Sequence, residues 1–218
     1  MVLKSLTYPP LSGEPPDWQL VALHGWGANA ADLMGLAPYL RLSHFAMVFP
    51  DAPWLHPQVP GGRMWYGFPT GYDFRRTHNF EPQSDLQASR QALKTWLPQL
   101  AEETQIPLER TVLAGFSQGG AMTLDVGPKL PLAGQISLSG YLHGAVSPPL
   151  TPRPVMLVHG SFDPVVPLEA AEVARAGLQC QGQPSTFHKI AMGHEILPEV
   201  IALISEFCED LRRHRNNP

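Results

Sequence analysis

Cysteine is nearly missing from this chain. Its two copies, Cys180 and Cys208, form no C-x-x-C pair and show no metal-ligand spacing, which predicts reduced thiols rather than a disulfide framework. H-E-x-x-H is absent, and His194-Glu195 has no second histidine at helical spacing, so no bound metal is expected. Gly25-Trp26-Gly27 does not continue into G-x-G-x-x-G, which disfavours a dinucleotide, and no other cofactor is expected. An excess of positive charge is lacking too: 15 Lys and Arg against 19 Asp and Glu argue against a nucleic-acid partner. The one basic run, Arg212-Arg213-His214-Arg215, reads as a solvated helix end. No apolar run approaches the roughly 18 residues of a membrane span. Met1–Pro10 lacks the basic start, apolar stretch and small-residue cleavage site of a secretory leader. A cytoplasmic protein without stable membrane insertion is therefore expected.

What is present suits one domain over residues 1–218. A chain of this length with 44% hydrophobic residues buries roughly 70% of its unfolded surface on folding. Proline is abundant, with 24 copies, but they cluster between elements (Pro9-Pro10, Pro15-Pro16, Pro148-Pro149) and punctuate a folded domain. Strands are predicted over Trp18–Leu23, Phe45–Phe49, Thr111–Ala114, Gln135–Ser139, Val155–His159 and Thr186–Ile190. Between and after them, helices are predicted over Leu33–Leu40, capped by Asn29 or Asp32, over Ser84–Thr104 with a kink at Pro98, over Leu168–Leu178 and over Pro198–Arg212. Another begins at Ala121–Val126 and closes at Gly127-Pro128. Strands alternating with helices imply an α/β fold: a mainly parallel sheet covered on both faces, with its ligand crevice at the carboxyl ends of the strands.

Thr111–Ala121 carries the chemistry. An apolar run feeds Gly115-Phe116-Ser117-Gln118-Gly119, the pattern of a strand-to-helix corner that lifts a serine hydroxyl out of the sheet. The N–H of Gln118, in the first turn of the following helix, faces the place where an acyl oxygen would gather charge. A bare G-x-S-x-G also occurs in ordinary βα turns, so the reading depends on partners. In this architecture they should follow as an acid and then a histidine. Of the later histidines, His188 sits inside a strand and His214 in the charged tail, while His194 falls just past a strand end. Of the acids, Asp125 lies on the helix leaving Ser117 and points away, Glu169 and Glu172 belong to a helix start, and Asp163 follows a strand end. The set is Ser117, Asp163, His194. His24-Gly25-Trp26-Gly27, at the end of an early strand, stands where a second oxyanion donor belongs, the Trp26 N–H, with His24 as a loop anchor.

Asp51–Phe80 lacks periodicity but is rich in Pro, Gly and aromatics, the mark of a lid or binding loop. Its aromatics either wall a substrate cleft or plug the edge of the core. Trp54, Met64, Trp65 and Tyr66, with Val165 from the loop after Asp163, are the candidate substrate-binding residues.

Leu23-His24-Gly25-Trp26-Gly27, Pro50-Asp51-Ala52-Pro53, Met64-Trp65-Tyr66, Gly115-Phe116-Ser117-Gln118-Gly119-Gly120, Leu138-Ser139-Gly140-Tyr141, His159-Gly160-Ser161-Phe162-Asp163-Pro164 and Met192-Gly193-His194-Glu195 together resemble the phospholipase/carboxylesterase family of small α/β hydrolases. The resemblance covers nearly the whole chain. It implies the α/β-hydrolase fold, the same Ser117, Asp163 and His194, and oxyanion donors at Trp26 and Gln118. The family usually has leucine at the position of Trp26, an acid at that of Ala28 and often an acid at that of Gly67. The bulk of Trp26 should therefore reshape the acyl or alcohol pocket. The expected activity is hydrolysis of short- to medium-chain carboxylic esters through an acyl-enzyme. Acyl-protein thioesterase, lysophospholipase and peptidase activities are the enzymatic alternatives, and a ligand-binding module on a hydrolase scaffold is the non-enzymatic one. The expected partner is a small-molecule or lipid ester, and the expected assembly a monomer or homodimer.

Overall fold

The computed structural model describes residues 3–69, 72–74, 80 and 82–216. In chain order the elements are β1 (Ser5–Tyr8), β2 (Trp18–Leu23), α1 (Ala30–Met34), β3 (Phe45–Pro50), β4 (Trp54–Leu55), β5 (Arg63–Met64), α2 (Ser84–Thr104), β6 (Thr111–Phe116), α3 (Gln118–Val126), β7 (Gly134–Leu138), β8 (Val155–Gly160), α4 (Leu168–Cys180), β9 (Ser185–Ile190) and α5 (Pro198–Asn216). Seven strands form one sheet in the order β1-β3-β2-β6-β7-β8-β9, all parallel except β1, which runs antiparallel along β3. The expected α/β sheet with helices on both faces is the architecture found.

Side-chain alternation divides the core. On β2, Leu20 and Ala22 face one way, joining Phe45, Met47, Val112, Ile136 and Met156 beneath Val200, Ile204 and Cys208 of α5. Val21 and Leu23 face the other way, joining Val48 and Leu113 beneath Leu86, Leu93 and Leu97 of α2 and Met122 of α3. Burial on both faces explains why β2, β3 and β8 read as apolar runs rather than as alternating patterns. The edge strand β9 is half exposed.

Two expectations are refined. The helix predicted over Leu33–Leu40 is instead α1, one turn earlier, where the Asn29 carboxamide accepts from Ala31 and Asp32 N–H groups and Asp32 accepts from the Asn29 N–H. Gly35 caps it, and Pro38 starts a separate short turn at Ala37–Tyr39. α2 has the expected bounds, Ser84–Thr104, with Pro98 inside it. The segment 51–80 holds a small antiparallel hairpin, β4 with β5, too short to leave a period in the sequence. The lid expected there falls partly on residues 70, 71 and 75–79, which lie outside the described residues. Among the described residues, no helix is long and apolar enough to cross a membrane.

Candidate active site

β6 ends at Phe116 and α3 starts at Gln118, leaving Ser117 alone at the corner with φ 54° and ψ −115°, a conformation that L-residues avoid. The corner closes only because two flanking residues have no side chain. A Cβ on Gly115 would stand 2.2 Å from the Gly119 carbonyl, and one on Gly119 would stand 2.2 Å from the Leu23 oxygen. The Ser117 N–H is fixed to the Leu138 carbonyl at 2.8 Å, so the strain is held by the sheet.

Two loops at neighbouring strand ends meet this serine. The loop after β9 brings His194, whose Nε2 is 3.0 Å from Ser117 Oγ. The loop after β8 brings Asp163, whose Oδ2 is 2.7 Å from His194 Nδ1. Ser161 and Phe162 donate main-chain N–H groups to Ile190 and Met192, which ties the two loops together. A carboxylate only accepts, so Nδ1 of a neutral His194 carries the proton and Nε2 offers its lone pair to the serine hydroxyl. The ring is also held by Phe116, with centroids 4.8 Å apart.

Asp163 is sealed from solvent, and its Oδ1 accepts from the N–H groups of Val165 and Val166, both at 2.9 Å. Burial opposes its ionisation, but His194 and these two amides outweigh it and hold the carboxyl below its ordinary range. His159 stands behind it, donating through Nε2 to the Val166 carbonyl at 2.9 Å, with the same nitrogen 3.6 Å from Asp163 Oδ2. Burial lowers the His159 pKa, which keeps it neutral. Sequence reading passed over His159 and Phe116; the spacing of four residues between His159 and Asp163, and the adjacency of Phe116 to Ser117, were the available signals.

The loop after β2 lies against the serine, since a Cβ on Gly25 would be 3.4 Å from Ser117 Cβ. Among the described residues, no protein group accepts from the N–H of Trp26 or of Gln118. His24 is buried and used as a clamp: Nδ1 donates to the Gly25 carbonyl at 2.8 Å and Nε2 accepts from the Ala52 N–H at 3.0 Å. Burial holds its pKa down, which suits the neutral form this geometry needs. Farther along, the Gly27 N–H donates to the Arg63 carbonyl of β5 and the Arg63 N–H donates to the Ala28 carbonyl, both at 2.8 Å, and the Arg63 side chain pairs with Asp51 at 3.3 Å.

The candidate substrate residues separate into two groups. Val165 is half exposed, Trp54 and Met64 are partly buried, and the Trp54 indole N–H donates to Ser89 Oγ at 3.2 Å. Trp65 and Tyr66 have no exposed surface at all, which corrects their assignment to a substrate surface. Both rings are drawn inward because their polar atoms have interior partners: the Trp65 indole donates to the His24 carbonyl at 2.9 Å, and the Tyr66 hydroxyl meets His143 at 2.7 Å and Tyr141. The aromatic that sequence reading valued for its backbone, Trp26, is 43% exposed, its ring against His56 and Phe68. No group of three His, Cys, Asp or Glu side chains among the described residues is placed to hold a metal ion.

The arrangement can deprotonate a hydroxyl toward an imidazole whose new charge a buried carboxylate would balance, beside two unclaimed N–H groups. Comparison with known proteins sets this chemistry in a family. The chain is 31% identical over 235 residues to an acyl-protein thioesterase 1 of Mycosarcoma maydis, covering 95% of this chain and 97% of that one. It is 29% identical over 197 residues to acyl-protein thioesterase 1 homolog 1 of Dictyostelium discoideum, covering 84% and 86%. Its fold matches the crystal structure of esterase PE8 with a TM-score of 0.85 at 28% identity, covering 97% of this chain and all of that one. The phospholipase/carboxylesterase family matches residues 12–211, and the chain belongs to that family.

Proposed function

We propose that the protein is a serine carboxylesterase that hydrolyses short- to medium-chain acyl esters through an acyl-enzyme. The observation that carries this reading is the unbroken line from Asp163 through His194 to Ser117, 2.7 Å and 3.0 Å, ending on a serine held at φ 54°. Ser117 Oγ attacks the ester carbonyl while His194 Nε2 takes its proton. Asp163 orients the imidazole and stabilises its charged form, and the N–H groups of Trp26 and Gln118 receive the oxyanion. His194 then returns the proton to the leaving alcohol, and a water deprotonated by the same nitrogen releases the acid.

The preference for shorter chains is supported by the inward turn of Trp65 and Tyr66, which removes two large apolar surfaces from the cleft. Among the described residues, exposed apolar side chains on the loops that meet at Ser117 include Trp26, Phe162 and Val165. A second reading, thioester hydrolysis, draws on the named activity of the Mycosarcoma maydis and Dictyostelium discoideum relatives. It uses the same residues, with a thiolate leaving group that needs less help from His194. Turnover of a p-nitrophenyl ester series beside a matched acyl thioester separates the two: a short-chain ester optimum supports the esterase, and higher kcat/KM on a long-chain thioester supports the alternative. Covalent capture of Ser117 by a fluorophosphonate tests both against a ligand-binding module without activity.

A further inference from the structure

We propose that Tyr66 and His143 are positioning residues that hold the two oxyanion donors in place through one buried chain of hydrogen bonds. The inference rests on the proposed roles of Ser117, Trp26 and Gln118. The dipeptide Trp65-Tyr66 touches both donor-bearing segments. The Gln118 carboxamide is clamped at each end, its Oε1 accepting from the Trp65 N–H at 2.8 Å and its Nε2 donating to the Tyr66 carbonyl at 2.7 Å. The Trp65 indole donates to the His24 carbonyl at 2.9 Å, next to Gly25-Trp26. The Trp65 carbonyl accepts from the hydroxyl of Ser89 on α2. A shift of this dipeptide would move both N–H groups that face the reacting carbonyl.

Tyr66 anchors the dipeptide from its far end. Its hydroxyl donates to His143 Nε2 at 2.7 Å and accepts from Tyr141. His143 Nδ1 donates to Asp125 Oδ2 at 2.8 Å, and the same oxygen accepts from Arg90 Nε. A proton assignment that satisfies this chain has Asp125 ionised, a neutral His143 carrying its proton on Nδ1, and both phenols intact. Burial resists ionisation of Asp125, but His143 and Arg90 overcome it and keep the carboxyl below its ordinary range. Burial pushes both tyrosines well above theirs. The order of Asp125, His143 and Tyr66 repeats that of Asp163, His194 and Ser117. Its hydroxyl, however, is a phenol with no exposed surface, in a cage of Phe68, Phe80, Tyr141 and His143, so it holds a position and does not react. A buried polar chain of this kind is favourable only when every member keeps its partner, which makes it a rigid strut.

The test compares wild type with Tyr66→Phe, which removes one oxygen, and with His143→Gln as a second variant in case the first folds poorly. Each is assayed well below its own measured Tm for kcat and KM on a short p-nitrophenyl ester, for fluorophosphonate labelling of Ser117, and for inhibition by a boronic acid that forms a tetrahedral adduct. Loosening one donor within a hole whose members are each worth 10²–10³ should lower kcat about 10-fold with KM within two-fold, and weaken boronate binding by about the same factor. The double variant should be no worse than the more impaired single one, since both cut the same chain. A kcat loss below about three-fold, or a loss confined to KM, in variants that merely melt earlier overturns the inference and leaves the esterase reading intact. Wild type that neither turns over esters nor labels at Ser117 overturns the esterase reading itself.

Discussion

The indole N–H of Trp65 donates to the main-chain oxygen of His24 across 2.9 Å, joining the end of the β4–β5 hairpin to the loop that carries Trp26. The ring making this bond is fully buried. A loop aromatic that reads as the wall of a cleft is thus a cross-brace. The exposed ring on that loop is Trp26, which lies against His56 and Phe68.

Ser117→Ala should lower kcat by about 10⁴-fold or more, because the substitution removes the hydroxyl proposed to attack the carbonyl. Steady-state ester hydrolysis and fluorophosphonate labelling both check this. Residual turnover above a tenth of wild type would rule Ser117 out as the nucleophile.

Gly119→Ala should fail structurally. The added Cβ would stand 2.2 Å from the Leu23 oxygen and 2.7 Å from the His24 oxygen, and backbone on two sides cannot yield cheaply. A cost of about 3 kcal/mol or more is expected, lowering Tm by roughly 6–12 °C for a chain of this size, with activity lost as well. Gly144→Ala is the control: its Cβ meets nothing within 4 Å, and a stability change within about 0.5 kcal/mol is expected. Thermal melts of the two variants side by side decide the point.

Trp26→Ala removes an exposed ring but keeps the backbone donor. Turnover of the smallest esters and labelling of Ser117 should stay near wild type, while kcat/KM along a chain-length series shifts by roughly 10-fold at its most affected member. A uniform collapse on all substrates would mean that the ring positions the loop rather than shaping the pocket.

Asp125 links pH to stability. Its folded pKa lies below the ordinary 3.8, so the unfolded chain binds more protons than the folded one in that range. Its contribution is fully present above the unfolded value and is lost as pH falls through the folded one. The stability gap between wild type and Asp125→Asn, measured by urea denaturation, should therefore be widest above about pH 5 and should narrow in more acidic solution. A gap independent of pH would show that the carboxylate charge contributes nothing.

The two cysteines should titrate separately. Cys180 is exposed and Cys208 is sealed in the core, where burial pushes its thiol pKa up. A disulfide reagent such as DTNB should modify one thiol in the native protein and a second only after denaturant is added. Rapid modification of both in native conditions would contradict the packing of Cys208, on the inner face of α5, against the sheet.

Periodicity and punctuation were enough to read the six parallel strands of the sheet. Runs such as Trp18–Leu23 and Val155–Gly160 are buried on both faces and so are apolar throughout, and each ends at a glycine or polar loop. That Ser117, Asp163 and His194 share one end of the sheet followed from chain order, because parallel strands return every βα loop to the same edge. Sequence did not reveal β1 or the β4–β5 hairpin, where four or fewer residues carry too little pattern. Which aromatics face the cleft was also beyond it. Trp65, Tyr66 and Trp26 are all large apolar residues in glycine-rich loops, and nothing local distinguishes them. Their directions depend on partners far along the chain: His24 and His143 for the first two, His56 and Phe68 for the third. Local composition therefore determined the elements and the edge at which they meet. The tertiary structure decided which side chains brace the site and which face the solvent beside it, because a buried hydrogen-bonding group turns toward whichever partner the fold supplies.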